Sequence, residues 1–334
     1  MKSITIKDVA DLAGVSIKTV SRVLNREPHV RKDTVDTVLS AIETLNYRPN
    51  LAARALASSR SYLIGLYYDN ESIGYIAQMQ YGSMVACRNQ GYHLLVEQLG
   101  GAVKTKDELY AQFSLVRIDG AVLTPPLCDR QDILQVLEEL GVAYVRIAPS
   151  GQLERAPYVY MDDRLAAFEM TQHLQSLGHT RIGFIRGDSA HSATALRYAG
   201  FTEAMQQAGL KVHPHWVQPG NFSFRSGVGA AERLLSLEDR PTAIFARNDD
   251  MALGVMAAAN RLHLRLPQDL SVAGFDDAPI AQVVWPQLTT IRQPVARMAA
   301  AAVETLISGT AAADSLARRL DFELVVRGST ARLA

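Results

Sequence analysis

The apolar residues of the first 25 positions recur at the spacing of two short helices. Between residues 4 and 25 the segment ITIKDVADLAGVSIKTVSRVLN places them three or four positions apart, as on one face of a helix. Thr5 followed by Asp8 predicts a capping box at the start of the first helix, and Gly14 can adopt the left-handed conformation that ends it. Ser16 is a suitable N-cap for the second helix. The pattern therefore predicts two helices joined by a tight glycine turn.

The second of these helices has a polar, basic face. Val20, Val23 and Leu24 are expected to pack against the first helix, which leaves Lys18 and Arg22 outward. In a helix-turn-helix the second helix enters the major groove of DNA, where an arginine can donate two hydrogen bonds to a guanine edge. Hydroxyl and amide side chains can bind the phosphates. The residues predicted to contact DNA are Thr5, Ser16, Ile17, Lys18, Thr19, Ser21, Arg22 and Asn25. Two ordinary core helices of another domain are the alternative.

A third helix and a short alanine-rich stretch follow. Apolar residues between positions 35 and 45 recur at helical spacing and predict a helix that closes the small core. Two basic residues precede it, so we expect either Asp33 to cap the helix or the cap to be poor. Pro49 stops any helical continuation. Residues 50–59, NLAARALASS, are too few to form a stable isolated helix in water, and they are either a hinge or a plain linker.

From Tyr62 onward, apolar runs of strand length alternate with helical or loop segments. Such alternation predicts parallel sheets covered by helices on both faces, and about 270 residues require two doubly wound subdomains. Ligands of such sheets bind beyond the carboxyl ends of the strands. We therefore expect a binding cleft between the two subdomains. The strand-like runs are 62–68, 93–99, 120–124, 143–147, 181–185, 242–246, 270–275 and 320–327.

Composition adds a division of charge between the two regions. The chain has 334 residues, with 34 basic (Lys and Arg) and 34 acidic (Asp and Glu) side chains. Residues 1–60 hold ten basic and six acidic side chains, and residues 61–334 hold 24 basic and 28 acidic ones. This split suits a DNA-binding module joined to a different body, although chance could produce it without the motif. Cys87 and Cys128 indicate neither a disulfide framework nor a zinc cluster. Because no apolar run is long enough to span a bilayer, we expect a cytoplasmic protein.

Several short motifs resemble the lactose/galactose repressor (LacI/GalR) family of bacterial transcriptional regulators. Near the N-terminus they are DVA at 8–10, AGVS at 13–16, TVSRV at 19–23, Asn25, LNY at 45–47 and Pro49-Asn50. The resemblance implies that residues 50–59 are a hinge that becomes helical when two copies pack together on DNA. It places Leu56 at the position of an apolar wedge in the minor groove, Ala53 at a small groove-facing position, and Asn50 as a further DNA contact.

The larger region resembles the family's effector-binding core, which is itself similar to periplasmic sugar-binding proteins. The matching segments are LGH at 177–179, LRYAGF at 196–201, NDDMALG at 248–254, GFDD at 274–277 and LTTIRQP at 288–294. The expected fold is a small all-α helix-turn-helix head plus an α/β core of two doubly wound parallel-sheet subdomains. The expected bounds are 1–47 for the head, 48–60 for the hinge and 61–334 for the core, with an N-subdomain of about 61–160 plus 294–318 and a C-subdomain of about 161–290 plus 319–334.

The expected effector site combines the chemistry that binds a polyol. Arg197 can donate two hydrogen bonds to neighbouring hydroxyls, Asp276 can accept a pair, and Asn248 and Gln293 can do both. Phe222 can provide a flat apolar wall for a pyranose ring. Taken singly, Asp276 could be a cap and Phe222 a core residue. The resemblance assigns effector contacts to Tyr75, His191, Arg197, Phe222, Asn248, Asp276 and Gln293. It also favours a sugar, because the purine-binding branch lacks an amide at position 248.

These expectations describe a regulator and argue against an enzyme. The sequence has no G-x-x-x-x-G-K loop and no G-x-S-x-G elbow, and the glycines of Gly227-Val228-Gly229 are expected to allow close helix packing. His213 and His215 have no third metal ligand nearby in sequence. We therefore expect a repressor of carbohydrate-utilisation genes with a sugar effector, no metal and no cofactor. The alternative is a sugar-binding protein with a non-regulatory or vestigial DNA-binding head.

The mode of DNA binding predicts the assembly. One helix-turn-helix contacts few bases, so a two-fold dimer on a palindromic operator is expected. No leucine heptad follows the last strand pattern at 320–327, unlike in the tetrameric lactose repressor, and we therefore expect a homodimer that does not bind membranes. The effector is expected to set the distance between the two DNA-binding heads.

Overall fold

A computed structural model describes the chain in two compact units, residues 1–62 and 63–334. The described residues are 4–24, 28–47, 60–69, 72–100, 105–187, 192–309 and 316–333. Within its described residues, the smaller unit has three helices: α1 (Ile6–Ala13), α2 (Ile17–Leu24) and α3 (Lys32–Thr44). The predicted hinge from 50 to 59 lies outside the described residues.

The ends of the first two helices have the predicted capping. The Asp8 carboxylate accepts hydrogen bonds from both the backbone N–H and the hydroxyl of Thr5, each at 2.7 Å. Gly14 follows α1 with a φ of +65°, in the left-handed region. The Ser16 hydroxyl accepts from the N–H of Thr19 at 3.2 Å, so Ser16 caps α2. The predictions of the capping box, the glycine end and the Ser16 cap are confirmed.

A small apolar core holds the three helices together. Its fully buried members lie at helical spacing on the facing sides of the helices; they are Val9, Ala10, Val20, Val23, Val38 and Ala41. The third helix begins after Arg31, which makes no side-chain cap, and Asp33 lies within its first turn. This cap is therefore as poor as the sequence suggested, and α3 is stabilised instead by packing of its apolar face.

The larger unit alternates strands with helices along the chain. The strands are β1 (Leu63–Tyr68), β2 (His93–Gln98), β3 (Gly120–Leu123), β4 (Tyr144–Ile147), β5 (Tyr158–Tyr160), β6 (Ile182–Ile185), β7 (Val217–Gln218), β8 (Ala243–Ala246), β9 (Ser271–Ala273), β10 (Thr290–Arg292), β11 (Ala317–Arg319) and β12 (Glu323–Val325). The helices are α4 (Ile73–Asn89), α5 (Lys106–Leu115), α6 (Gln131–Glu139), α7 (Asp163–Ser176), α8 (Ser192–Gln207), α9 (Phe224–Leu235), α10 (Asp249–Arg261), α11 (Ile280–Val283) and α12 (Val295–Ser308).

These strands form two parallel sheets. Among the described residues the first sheet has six strands in the order β11-β5-β4-β3-β1-β2, and the second has four in the order β7-β6-β8-β9. Leu66 in β1 is in register with both Val96 in β2 and Val122 in β3, and Phe184 in β6 is in register with Phe245 in β8. A separate antiparallel pair joins β10 to β12. The predicted α/β core of two parallel sheets is confirmed.

The chain crosses between the two sheets more than once. It leaves the first sheet after β5, builds the second with α7 to α11, and returns through β10 to α12, which packs against α4. The contact between α4 and α12 is close, because a Cβ added to Gly82 would lie 2.0 Å from the carbonyl oxygen of Ala296. The chain then adds β11 to the first sheet and ends with β12, which pairs with β10.

Apolar runs in the sequence predicted the longer strands better than the short ones. Each of the seven runs predicted between positions 62 and 275 contains a strand of the structure. The predicted run 320–327 contains only β12, since β11 ends at Arg319. The sequence also did not indicate β5, β7 and β10, because strands of two or three residues show too little alternation to be recognised.

Candidate functional site

The outward side of α2 presents the residues predicted to read DNA. Ile17 is 48% exposed, and Lys18 and Arg22 are also exposed on this helix. The hydroxyls of Ser16 and Thr19 bond to each other at 2.9 Å and hold the start of the helix. Thr5 is exposed at the start of α1, and Ser21 is half-buried on α2. Asn25, Asn50, Ala53 and Leu56 lie outside the described residues. The smaller unit therefore offers a basic, exposed second helix.

A second candidate site lies at the carboxyl ends of the strands in the larger unit. It is a cavity of about 40 Å³, which we call the central cavity. The side chains around it come from segments that directly follow β1, β3, β4, β7, β8 and β9, and from the starts of α7, α8 and α12. The lining residues are Ser72, Tyr75, Pro125, Ala148, Asp163, Ala193, Arg197, Phe222, Arg247, Asn248, Asp276, Gln293 and Met298.

The structure brings most of the predicted effector contacts to this one cavity. Those that line it are Tyr75, Arg197, Phe222, Asn248, Asp276 and Gln293. His191 lies outside the described residues. Tyr75 comes from the side of the first sheet and Arg197 from the side of the second, so an occupant would contact both subdomains.

Arg197 is fixed by a buried network. It is 4% exposed, and its Nε donates to a carboxylate oxygen of Asp163 at 2.7 Å. Its Nη1 donates to the backbone carbonyl of Arg247 at 2.8 Å and lies 3.8 Å from the Asp276 carboxylate. The guanidinium also stacks on the Phe275 ring, with Cζ 3.4 Å from the ring centroid. The charge of Arg197 is therefore shared by two carboxylates inside the cavity wall.

Burial changes the titration of the acidic and phenolic groups here. Desolvation raises the pKa of Asp276 to about 6, although the Arg197 guanidinium and the hydrogen bond from the Gln293 amide oppose that rise. The pKa of the Tyr75 phenol is raised by burial first and by the charges of Asp276 and Asp163 second. A low-dielectric cavity of this kind strengthens any hydrogen bond made inside it.

Asn248 has a structural role that the sequence did not reveal. Its Oδ1 accepts from the N–H of Met251 at 3.0 Å, so that it caps α10, and its Nδ2 donates to the carbonyl of Phe222 at 2.9 Å. We had expected this amide to donate to and accept from the hydroxyls of a ligand. In the structure both of its polar atoms bind the protein, so position 248 does not by itself favour a sugar.

Phe222 is both a wall of the cavity and part of the core of the second subdomain. It is 6% exposed and packs among the buried residues around α9 and α10. Its ring is covered by the Arg247 guanidinium, with Cζ 4.3 Å from the ring centroid. Its φ is +70°, and Ala148 at +44° and Asp276 at +122° also line the cavity with positive φ. Such conformations are costly for residues other than glycine, and they concentrate at ligand-binding sites.

Two charged residues of the cavity were not predicted. Arg247 directly follows the apolar run of β8, so the rule that sites follow strand ends could have identified it. Asp163 begins α7, three residues beyond the end of the unpredicted β5, and no pattern in the sequence marks it. The described part of the chain contains no group of three or more His, Cys, Asp or Glu that could hold a metal ion. None of its helices is long and apolar enough to cross a membrane.

A helix-turn-helix unit and a two-sheet unit with a buried polar cavity define a ligand-responsive DNA-binding regulator. Residues 5–50 match the family described as bacterial regulatory proteins, lacI family, and residues 171–330 match the periplasmic binding protein-like domain. The HTH-type transcriptional repressor PurR of Haemophilus influenzae (strain PittEE) is 35% identical over 333 residues, covering 97% of this chain and 98% of that repressor. The chain thus belongs to the lacI family and is a DNA-binding transcriptional repressor, not an enzyme.

Solved structures agree with this assignment. The transcriptional regulator CelR in complex with cellobiose has a TM-score of 0.74 and 30% identity, covering 98% of this chain and 99% of that one. The lac repressor dimer bound to operator and the anti-inducer ONPF has a TM-score of 0.78 and 28% identity, covering 99% of this chain and 100% of that one. Operator DNA and a small-molecule effector are accordingly the partners of this protein.

Proposed function

We propose that this repressor is controlled by a carbohydrate or carbohydrate derivative bound in the central cavity. The observation that carries the proposal is the convergence of Tyr75, Arg197, Asp276 and Gln293 from both subdomains on one buried site beside the Phe222 ring. Hydrogen-bonding groups next to an aromatic wall suit the alternating hydroxyl and C–H surfaces of a sugar. The similarity to the CelR–cellobiose complex supports the same choice.

The size of the cavity indicates how the effector acts. A volume of about 40 Å³ is far below the roughly 300 Å³ at which small-molecule sites begin. Binding therefore requires the two subdomains to separate or the lining side chains to move. Because the effector would bind one arrangement of the subdomains better than the other, it shifts their equilibrium and with it the affinity for the operator.

A purine is the second candidate effector. It is favoured by the name PurR of the Haemophilus influenzae repressor. A purine would stack on an aromatic ring and bond to amide and guanidinium groups, and the Phe222 ring and the Gln293 amide offer both. Both candidate effectors would occupy the same cavity, so direct binding measurements are needed to distinguish them.

The working form in this proposal is a cytoplasmic homodimer on a palindromic operator. Exposed apolar residues on one side of α4 support a dimer. Tyr81 is 62% exposed, and Met84 and Val85 are exposed on the same face of the helix. The opposite face of α4 packs on α12. Exposed apolar side chains clustered in this way mark protein interfaces. The target genes in this proposal are those for carbohydrate utilisation.

Ligand screening tests the choice of effector. The purified protein is mixed with neutral sugars, sugar derivatives, hypoxanthine and guanine, and its melting temperature is recorded, since a bound ligand raises stability by mass action. A shift with a sugar that also changes the affinity for operator DNA supports the proposal. A shift with a purine and with no sugar would contradict it.

Replacing Arg22 by alanine tests the DNA-reading side. Arg22 is exposed on α2, and its loss is expected to reduce discrimination between the operator and a variant half-site by about 1–3 kcal/mol. Fluorescence anisotropy with both duplexes at several salt concentrations measures the effect. Lys32→Ala, which removes a charge at the start of α3, is the control and should leave the sequence preference unchanged. An unchanged preference in Arg22→Ala would remove Arg22 from the reading role.

Binding without any sequence preference in the wild type would favour a sugar-binding protein with a non-regulatory head.

A further inference from the structure

Within the described residues, one charged side chain of the central cavity has a buried N–H without a hydrogen-bond acceptor. Arg247 is 4% exposed, and its Nε–H has no acceptor within the described residues. No ion pair of the described residues includes it, whereas Arg197 is paired with Asp163 and Asp276. Its guanidinium instead lies over the Phe222 ring at 4.3 Å. A buried cation without an acceptor destabilises the folded state, which makes Arg247 conspicuous in a cavity that receives a ligand.

The carboxylates of the cavity favour the charge of Arg247 from a distance, but within the described residues neither forms an ion pair with its guanidinium. The Asp163 carboxylate accepts from Nε of Arg197 at 2.7 Å, and the Asp276 carboxylate accepts from the Gln293 amide. Arg197 also donates to the backbone carbonyl of Arg247, and the charges of the two guanidinium groups interact. Burial and the charge of Arg197 lower the pKa of Arg247 well below its ordinary value. The charge of Arg197 disfavours the protonated form of Arg247, and a further anion bound beside Arg247 would oppose that effect.

We propose that the effector carries an oxyanion, a carboxylate or a phosphate, and that Arg247 binds it. This inference rests on the proposed carbohydrate effector and specifies its class as a sugar acid or a sugar phosphate. A guanidinium donates two parallel hydrogen bonds to either oxyanion, and the added negative charge relieves the repulsion between Arg247 and Arg197. A neutral hydroxyl would accept a hydrogen bond without providing that charge. The hydroxyls of the same molecule would bind Asp276, Gln293 and Tyr75.

Arg247→Met tests the inference with Arg186→Met as its matched control. Both arginines lie with Cζ 4.3 Å from the centroid of an aromatic ring, but Arg186 stacks on Tyr198, is exposed, and does not line the central cavity. The probes are D-gluconate, D-glucuronate, D-galacturonate and D-glucose 6-phosphate, with D-glucose, D-galactose and hypoxanthine for comparison. Calorimetry and melting temperatures are recorded for the wild type and both variants.

At least one anionic probe is expected to bind the wild type and Arg186→Met, and its dissociation constant should rise at least about 30-fold in Arg247→Met. If no anionic probe binds the wild type more tightly than it binds Arg247→Met, the inference is overturned. If neutral sugars bind the wild type and Arg247→Met equally well, the inference of an oxyanion is overturned, but the proposal of a carbohydrate effector stands. Binding of hypoxanthine alone overturns the carbohydrate effector and the inference together.

The unliganded protein gives a second readout that needs no effector. Arg247→Met removes a buried charge that has no ion-pair partner among the described residues and should raise the melting temperature, whereas Arg186→Met should leave it unchanged or slightly lower. A melting temperature of Arg247→Met that falls below that of Arg186→Met would show that Arg247 stabilises the fold through a partner in the protein, and it would overturn the inference.

Discussion

At the scale of single residues, the same chemical group serves either the fold or a ligand, and only its neighbours decide which. Asn248 has the donor and acceptor that a sugar needs, yet it uses both to cap α10 and to hold the carbonyl of Phe222. Arg197 likewise bonds to Asp163 and to the backbone of Arg247. Changing such a residue therefore alters stability as well as binding.

Replacing Asn248 by alanine should lower the free energy of unfolding by about 1–2 kcal/mol, because the substitution removes the cap of α10 and the hydrogen bond from Asn248 to the Phe222 carbonyl. Urea denaturation followed by circular dichroism measures the difference. Asn248→Ser, which keeps an oxygen that can cap but has no second donor for Phe222, should lose less. Equal stability of the alanine variant and the wild type would show that the cap contributes nothing.

At the scale of elements, glycines decide how closely two helices approach. A Cβ added to Gly227 in α9 would lie 2.3 Å from the carbonyl oxygen of Met251 in α10, and one added to Gly254 would lie 2.4 Å from the carbonyl oxygen of Phe224. A Cβ on Gly229 would meet nothing closer than Arg233 Nη1 at 3.6 Å. The predicted packing role is thus confirmed for Gly227, whereas Gly229 makes no close contact.

Gly227→Ala should destabilise the protein by about 1–3 kcal/mol, because the backbones of α9 and α10 must move apart. The matched variant Gly229→Ala places the same methyl group on the same helix without a clash and should be neutral or stabilising by up to about 1 kcal/mol. Thermal denaturation of both variants provides the comparison. The contact would have no importance for stability if Gly227→Ala melted at the temperature of Gly229→Ala.

A histidine joins the second sheet to the C-terminal segment. His179 Nε2 lies 3.0 Å from the carbonyl of Ala331, and Nδ1 lies 2.9 Å from the hydroxyl of Thr242. Since a carbonyl only accepts, Nε2 carries the proton and Nδ1 accepts from Thr242. Burial lowers the pKa of His179 below its ordinary value of 6.5. The folded state therefore holds this imidazole neutral over a pH range in which the unfolded chain already binds a proton.

The stability conferred by His179 should decrease as the pH falls through and below 6.5, because protons bind the unfolded state first when the folded pKa is the lower one. Free energies of unfolding of the wild type and His179→Gln, measured from pH 7.5 to 5.5, should converge toward the acid side. His93→Gln, at an exposed position of β2, controls for the loss of a histidine. A constant difference across this range would contradict the prediction.

At the scale of the whole molecule, the contacts across the central cavity connect the two subdomains. The Ser72 hydroxyl, just before α4, donates to the Asp250 carboxylate at the start of α10 at 3.0 Å. The Gln293 amide, just after β10, donates to Asp276, which follows β9. The Ser72–Asp250 bond joins segments that follow strands of different sheets, so a ligand that breaks it changes the arrangement of both subdomains.

Effector and operator should alter each other's affinity by the same factor, because both shift the same equilibrium between conformational states of the protein. Coupling of this kind is typically 5- to 150-fold, of the order of 1–3 kcal/mol. Effector titrations with and without a saturating operator duplex, and operator titrations with and without effector, give the two factors. Equal binding of operator at every effector concentration would exclude the coupling.

The sequence predicted the regular parts of this protein because they rest on local interactions. The capping of α1 and α2 and the apolar runs of the longer strands depend on residues within a few positions of each other. The strands β5, β7 and β10 were not predicted, because their stability comes from neighbours distant in sequence. The cavity residues that were predicted are those that the family resemblance marked. Arg247 follows a strand end but was not predicted, and Asp163 follows a strand that the sequence did not indicate.

By itself, the amino-acid sequence determined the helix-turn-helix, the alternation of strands and helices and the family, because periodicity, caps and motifs are properties of short segments. Only the tertiary structure decided that Asn248 bonds to the fold, that Arg197 pairs with Asp163, and that Arg247 has no acceptor for its Nε–H within the part of the chain that the structure describes. The partners of a buried polar group come from segments brought together by folding, and its chemistry depends on those partners.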